Sequence, residues 1–296
     1  MYTELRDRIK CDRLGTHLLC YVAQIIICVK SEIYLFLPQR KLNHDESIFL
    51  KSLYYFISNH NSRLRDREIE LGESTDVGST NDMNWIMGRA VQCAQKSIPE
   101  FFRETIWPEI SAEFFRLAAE MNYPLPAVLK EINWHNKIVC HLRLDDIVGR
   151  GDYRMWKCVE HYRQLLESGA ETPIEDIFDE DDQRHNCQRE LPDVIVEEQL
   201  WRAMSISGKK TEDIVLIMSP NSKTELPYKS ISNPDESLDL YMMCMSEHFI
   251  GSRSTYAICA YLWGCDKWAT YPRWGHLTCT GVGTNFCALK NLDEFY

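Results

Sequence analysis

Long stretches with helical spacing alternate along this chain with short unbroken apolar runs, the pattern of helices interleaved with buried strands. Residues 14–29, LGTHLLCYVAQIIICV, predict a mostly apolar helix opened by Gly15 and Thr16, and residues 32–37, EIYLFL, a strand stopped by Pro38. Residues 45–58, DESIFLKSLYYFIS, predict a helix capped by Asp45. REIEL at 67–71 reads as a weak strand, and the polar run 72–84, GESTDVGSTNDMN, as a surface loop. Helices are expected over 83–102 and 111–121, separated by Trp107-Pro108, with Pro124 and Pro126 marking the passage to a second half.

That second half opens with the apolar run KIVC at 137–140, a short buried strand followed by His141, Arg143, Asp145 and Asp146. Amphipathic spacing predicts a helix over 155–168, and the acidic, Pro-containing stretch 171–193 reads as a solvated loop. A helix at 197–205, a strand at 213–218, a helix at 237–245, a strand at 248–251 and a helix at 256–262 complete the series. Strands and helices alternate in both halves, so the expected class is α/β with two Rossmann-like halves, residues 1–132 and 133–275. No internal repeat is present.

Charge narrows the partners. A formal net charge of -11 argues against a nucleic-acid backbone or an anionic membrane as the main partner, because both call for excess Lys and Arg. The apolar part of the first helix is too short for a membrane span, which takes about 20 residues, and no signal-peptide pattern surrounds it. Twelve cysteines are scattered through core-like segments with no C-x-x-C pair, which predicts reduced, buried thiols of a cytoplasmic protein and no structural metal. The run at 179–182, DEDD, reads as a solvent-facing acidic loop rather than an Asp-x-Asp metal motif.

The strand end at 141–146 and the turn at 252–255 carry candidate chemistry. A metal-free diphosphate site takes a guanidinium for paired hydrogen bonds and hydroxyls and N–H groups at a helix amino terminus. Arg143 supplies the first, and Ser252, Ser254 and Thr255, opening the helix at 256, supply the second. The competing role for Arg143 is a surface ion pair with Asp145 or Asp146.

Three segments resemble one family. HLRLDD at 141–146 is similar to the His-x-Arg-x-x-Asp signature of the fucosyltransferase superfamily (α-1,2, α-1,6 and protein O-fucosyltransferases). FIGSRSTY at 249–256, continuing to AYLWG at 260–264, resembles the later motif in which Asn-Ser-Thr-Phe opens a helix ending in Ala-x-Leu-Gly. DRLGTHLLCY at 12–21 resembles the amino-terminal Arg-Leu-Gly-Asn-Gln-Leu-Phe-Gln-Tyr segment. The resemblance implies a GT-B architecture, two Rossmann-like halves facing across a cleft, with the acceptor on the first, the nucleotide sugar on the second, and residues 276–296 returning to the first.

The resemblance further implies an inverting, metal-independent transfer with no cofactor beyond a GDP- or UDP-linked sugar donor. The acceptor would be a hydroxyl of an oligosaccharide or glycoprotein glycan. Arg143 would bind the diphosphate, Ser254 and Thr255 its oxygens with Ser252 nearby, and Asp146 would orient Arg143 or meet the base or ribose. His141 would shape the pocket, and Gly15 and His17 would lie across the cleft on an amino-terminal loop. Leu144 stands where many relatives carry a second Arg, Arg253 where the family has Asn, and Ile258-Cys259 where it has two aromatics. GDP-fucose is the family's majority donor; another, such as UDP-xylose, stays open.

An inverting transfer also takes a base for the acceptor proton. Asp76, in the polar loop, is the first candidate, with Asp12 and His17 as alternatives and an ordinary loop carboxylate as the competing role for Asp76. Trp263, Trp268, Tyr271 and Trp274 either stack on sugar faces or fill the interface between the two halves. A glycan-binding or scaffold protein without chemistry is the second reading. A kinase-like enzyme is disfavoured, because no Walker-type loop is present.

Overall fold

Helix α1 (Leu14–Lys30) is apolar on every face, and a helix of that kind is stable in water only when surrounded. Every residue from Leu14 through Cys28 is buried in this computed structural model, which describes residues 1–4, 14–37, 47–75, 77, 83–121, 133–144, 191, 193–220, 222–233, 235–252, 254–264 and 267–270. Two compact units are built on Met1–Lys130 and Glu131–Val282. No helix among the described residues is long and apolar enough to cross a membrane.

In the first unit, strand β1 (Tyr2–Glu4) pairs in parallel with β2 (Tyr34–Phe36), Tyr2 opposite Tyr34. Helix α2 (Ile48–Asp66) buries Phe49, Leu53, Phe56, Ile57 and Leu64 along one stripe. The same stripe carries two polar residues that complete the strand. Asn61 donates Nδ2 to Leu35 O at 2.7 Å and accepts the Leu35 N–H at 3.0 Å, while His60 Nε2 lies 2.8 Å from Ile33 O. A side-chain amide thus stands in for a neighbouring strand.

Four expectations for this unit are corrected. The helix predicted over 45–58 runs from Ile48 to Asp66 with Ser47, not Asp45, at its N-cap. Residues 67–71 form no strand. Arg67, Glu68, Glu70 and Leu71 are exposed, so the segment has no apolar face to bury, and Glu68 turns the chain at φ 57°. Helix α3 (Met83–Ala94) stops at Gln95 (φ 55°), and Ser97 starts α4 (Ile98–Phe101) by accepting the Glu100 N–H at 3.3 Å. Trp107-Pro108 opens α5 (Trp107–Glu120) instead of separating helices. A π-helical turn, Phe102–Ile106, precedes it, Trp107 donates to Phe102 O, and Pro108 sits in the first turn, where its missing N–H is not needed.

Among the described residues the second unit holds a five-stranded, all-parallel sheet in the order β5-β4-β3-β6-β7, from Lys229–Ile231, Ile214–Met218, Ile138–Leu142, His248–Ile250 and Trp268–Thr270. The chain begins in the middle at β3, winds outward through β4 to β5, then crosses back to β6 and β7. This is a doubly wound order. Strands β3 and β4 are almost wholly buried, as strands covered on both faces must be. Ile138, Cys140, Leu142, Ile214, Leu216 and Met218 point to one face and pack with Val196, Leu200 and Ala203 of α6 (Asp193–Ser207). Burying each such aliphatic side chain contributes about 2 kcal/mol.

Helices α7 (Glu236–Met245) and α8 (Thr255–Trp263) pack against each other. Their far ends are locked by a buried lysine. Lys267 Nζ donates to the carbonyls of Met243 and, at 3.4 Å, Cys244, two of the last carbonyls of α7, and lies 4.8 Å over the Phe249 ring. Gly264, after α8, fits beneath it, since a Cβ there would lie 2.6 Å from both Cys244 O and Lys267 Nζ. The segments 155–168, 171–190 and 276–296 lie outside the described residues.

Candidate functional site

Strands β3 and β6 are neighbours, Ile138 beside His248 and Cys140 beside Ile250, yet the chain leaves them toward opposite edges of the sheet. A switch point of this kind is where parallel α/β sheets take ligands, beyond the carboxyl ends of the strands. His141 is a strand residue rather than the start of the loop, because β3 continues through Leu142; Arg143 is the first residue beyond it. Both are half-buried.

The turn after β6 is tightly held. Gly251 donates its N–H to Thr270 O at 2.8 Å, Ser254 donates to Ser252 O at 2.8 Å, and Ser254 Oγ caps α8 by accepting the Tyr256 N–H at 3.2 Å. Thr255 is the first residue of α8. The amino terminus of this helix, with its partial positive charge, is thereby set at the carboxyl edge of the sheet. Ser252, buried, places Oγ 2.7 Å from His141 Nδ1 and so ties the two strand ends together.

The Tyr256 ring lies 5.6 Å from the His141 ring, and its hydroxyl donates to Glu236 O at the start of α7. Desolvation at the strand end, and then the Arg143 cation, push the His141 pKa down to about 3, although part of the residue surface meets solvent. His141 is therefore neutral at physiological pH. Burial raises the Tyr256 hydroxyl well above its usual range, reinforced by Asp239.

Asp239, in the first turn of α7, was not singled out by sequence reasoning. It is buried, accepts a hydrogen bond from Asn233 Nδ2 at 2.5 Å, and has its pKa pushed up to about 7 by burial, opposed by Asn233. The legible signal was an acid set inside the apolar run Leu238 to Met243, a position that buries whatever occupies it.

The structure brings His141, Arg143, Ser252, Ser254 and Thr255 to the carboxyl edge of one sheet. Asp145, Asp146, Asp76 and Asp12 lie outside the described residues. Gly15 and His17 belong to the first unit and sit in the first turns of α1, buried, rather than in a loop. Nothing between Leu14 and Val29 breaks a helix, and a Gly in a first turn costs little. The His17 ring packs 6.2 Å from that of Tyr21. Trp263 is buried in α8 and Trp268 packs 5.8 Å from His248, so both fill the interior of the second unit; Tyr271 and Trp274 lie outside the described residues.

Among the described residues no group of three His, Cys, Asp or Glu side chains is arranged to hold a metal ion. Cys20, Cys28, Cys93, Cys140, Cys244 and Cys259 carry thiols, of which all but Cys93 are buried. Burial raises the Cys28 thiol to about 12 and Cys140 higher still, so neither is a nucleophile.

Fold and site together define a parallel α/β protein whose switch-point edge presents a cation, a helix amino terminus and a neutral imidazole. Comparisons with protein-family models, curated proteins and solved structures found no match.

Proposed function

We propose that this chain is an inverting, metal-independent glycosyltransferase of GT-B architecture, with its nucleotide-sugar donor held by the second unit. The observation that carries the reading is the 2.7 Å contact between His141 and Ser252, which joins the two donor-side segments resembling the fucosyltransferase superfamily at the switch point of one sheet. Arg143 and the amino terminus of α8 would face the diphosphate and stabilise the charge that grows on it as the sugar leaves. The acceptor hydroxyl oxygen would attack the anomeric carbon from the opposite face, its proton passing to a base, Asp76 first and Asp12 or His17 otherwise. GDP-fucose is the favoured donor and a glycan hydroxyl the acceptor.

Leu144 favours keeping a second donor, such as UDP-xylose, in view. It packs against the core cluster of β3 and β4, where it offers no charge to a phosphate. A glycan-binding protein without transfer activity would show the same fold. Calorimetry with GDP, UDP and ADP separates these readings. Binding of GDP or UDP supports a transferase, and a folded sample that binds none of the three sinks it.

A further inference from the structure

We propose that Ser252 is a positioning residue: its hydroxyl donates to Nδ1 of His141 and fixes the imidazole as the Nε2–H tautomer, presenting one uncharged donor to an oxygen of a bound nucleoside diphosphate. The ligand half of this inference rests on the reading above; the tautomer half stands on the protein alone.

A serine hydroxyl has one proton to give, and among the described residues the His141 ring is the acceptor within reach of Ser252 Oγ, at 2.7 Å. If Nδ1 carried the proton instead, the buried hydroxyl would be left with its own proton unpaired, at a desolvation cost of about 1–3 kcal/mol. Donation from Ser252 places the imidazole proton on Nε2, which has no protein partner among the described residues. Neighbouring contacts hold this geometry. The Ser252 main chain is pinned by the Ser254 N–H at 2.8 Å, and the Tyr256 ring, anchored at Glu236 O, flanks the imidazole at 5.6 Å. The Arg143 cation and the loss of solvent both oppose the imidazolium, so the ring donates without charge while Arg143 supplies the charge.

This assigns Ser252 a task different from that of Ser254 and Thr255. Its hydroxyl is committed to the imidazole, and the ligand meets it only through His141.

Two-bond ¹⁵N–¹H imidazole spectra of the full chain at neutral pH, without ligand and with His141 assigned through its backbone, read the tautomer directly. The expected result is a protonated Nε2 and an unprotonated Nδ1. Ser252→Ala should mix the tautomers and Ser252→Thr should restore the wild-type pattern. A protonated Nδ1 in the wild type, or an unchanged Ser252→Ala spectrum, overturns the proposal. In the binding arm, Ser252→Ala should weaken GDP roughly threefold to tenfold, with Ser252→Thr recovering it. A Ser252→Ala protein binding GDP as tightly as wild type overturns the ligand half. A wild type with the Nε2–H tautomer that binds no GDP, UDP or ADP overturns the ligand half and the donor reading together, leaving the tautomer assignment intact.

Discussion

His141 and Ser252, 111 positions apart in sequence, meet at 2.7 Å and join the carboxyl ends of the two strands on either side of the sheet's switch point. Because the imidazole is held neutral, with a pKa near 3 against an ordinary 6.5, it takes up its proton later in the native state than in the unfolded chain. Its contribution to stability is whole above about pH 6.5 and is lost as pH falls toward 3, at up to about 1.4 kcal/mol per pH unit. The stability difference between wild type and His141→Asn should therefore shift in favour of the variant between pH 7 and pH 5, as read by urea midpoints. A difference that stays constant across that range would show that the ring titrates normally.

Asp239 works in the opposite sense. Its pKa rises on folding from 3.8 to about 7, so its proton is retained in the native state, and the stability it contributes at low pH is lost as pH rises through 7. Asp239→Asn preserves the shape and the acceptor for Asn233. Its melting temperature relative to wild type should rise between pH 4 and pH 8. A flat difference would place an ionised carboxylate there throughout.

Arg143 leaves β3 at its carboxyl end, beyond the strand's ladder, so its removal should spare the fold. Arg143→Ala should keep the wild-type circular dichroism spectrum and weaken GDP or UDP binding about 10-fold to 100-fold, the weight of a charge-assisted pair. Arg143→Lys should fall between, since an ammonium keeps the charge and loses the fork. Sugar transfer surviving Arg143→Ala would remove the residue from the mechanism.

Gly264 and Lys267 form one structural unit with the end of α7. Gly264→Ala pushes a methyl group to 2.6 Å from both Cys244 O and Lys267 Nζ, a clash worth about 1–3 kcal/mol in denaturant unfolding. Lys267→Met should cost a similar amount by removing the lysine's hydrogen bonds to the carbonyls of Met243 and Cys244. The two losses should fall short of additive, because the alanine acts partly by displacing the lysine.

Much of the second unit was legible because its strands and helices are pure in pattern. DIVLIM and SLDLYMMCM each lead to one reading, and the structure places β4 and α7 on them. Strands β1, β5 and β7 escaped notice for a physical reason. Each has three residues, and Lys229 and Ser230 of β5 are exposed, so what makes them strands is the neighbour they pair with rather than their own periodicity. The REIEL segment failed in the opposite way, with β-like composition and no partner ladder. At the site, Arg143 could be named from the strand end it follows, and Ser254 from the turn into α8. Tyr256 could not, because its relevance lies in a ring packed beside His141, a product of tertiary packing, and for Asp239 the apolar run announced burial but not the partner Asn233.

The shortness of β5 has a consequence for how this protein behaves among copies of itself. A parallel sheet that ended at β4 would present five apolar residues, Ile214–Met218, as an open row of hydrogen-bonding groups at its rim. With β5 laid over it, the rim is three residues long and carries Lys229 and Ser230 in water. A strand of another molecule would have to strip water from that lysine to gain a few hydrogen bonds, so this border of the sheet is guarded against self-association.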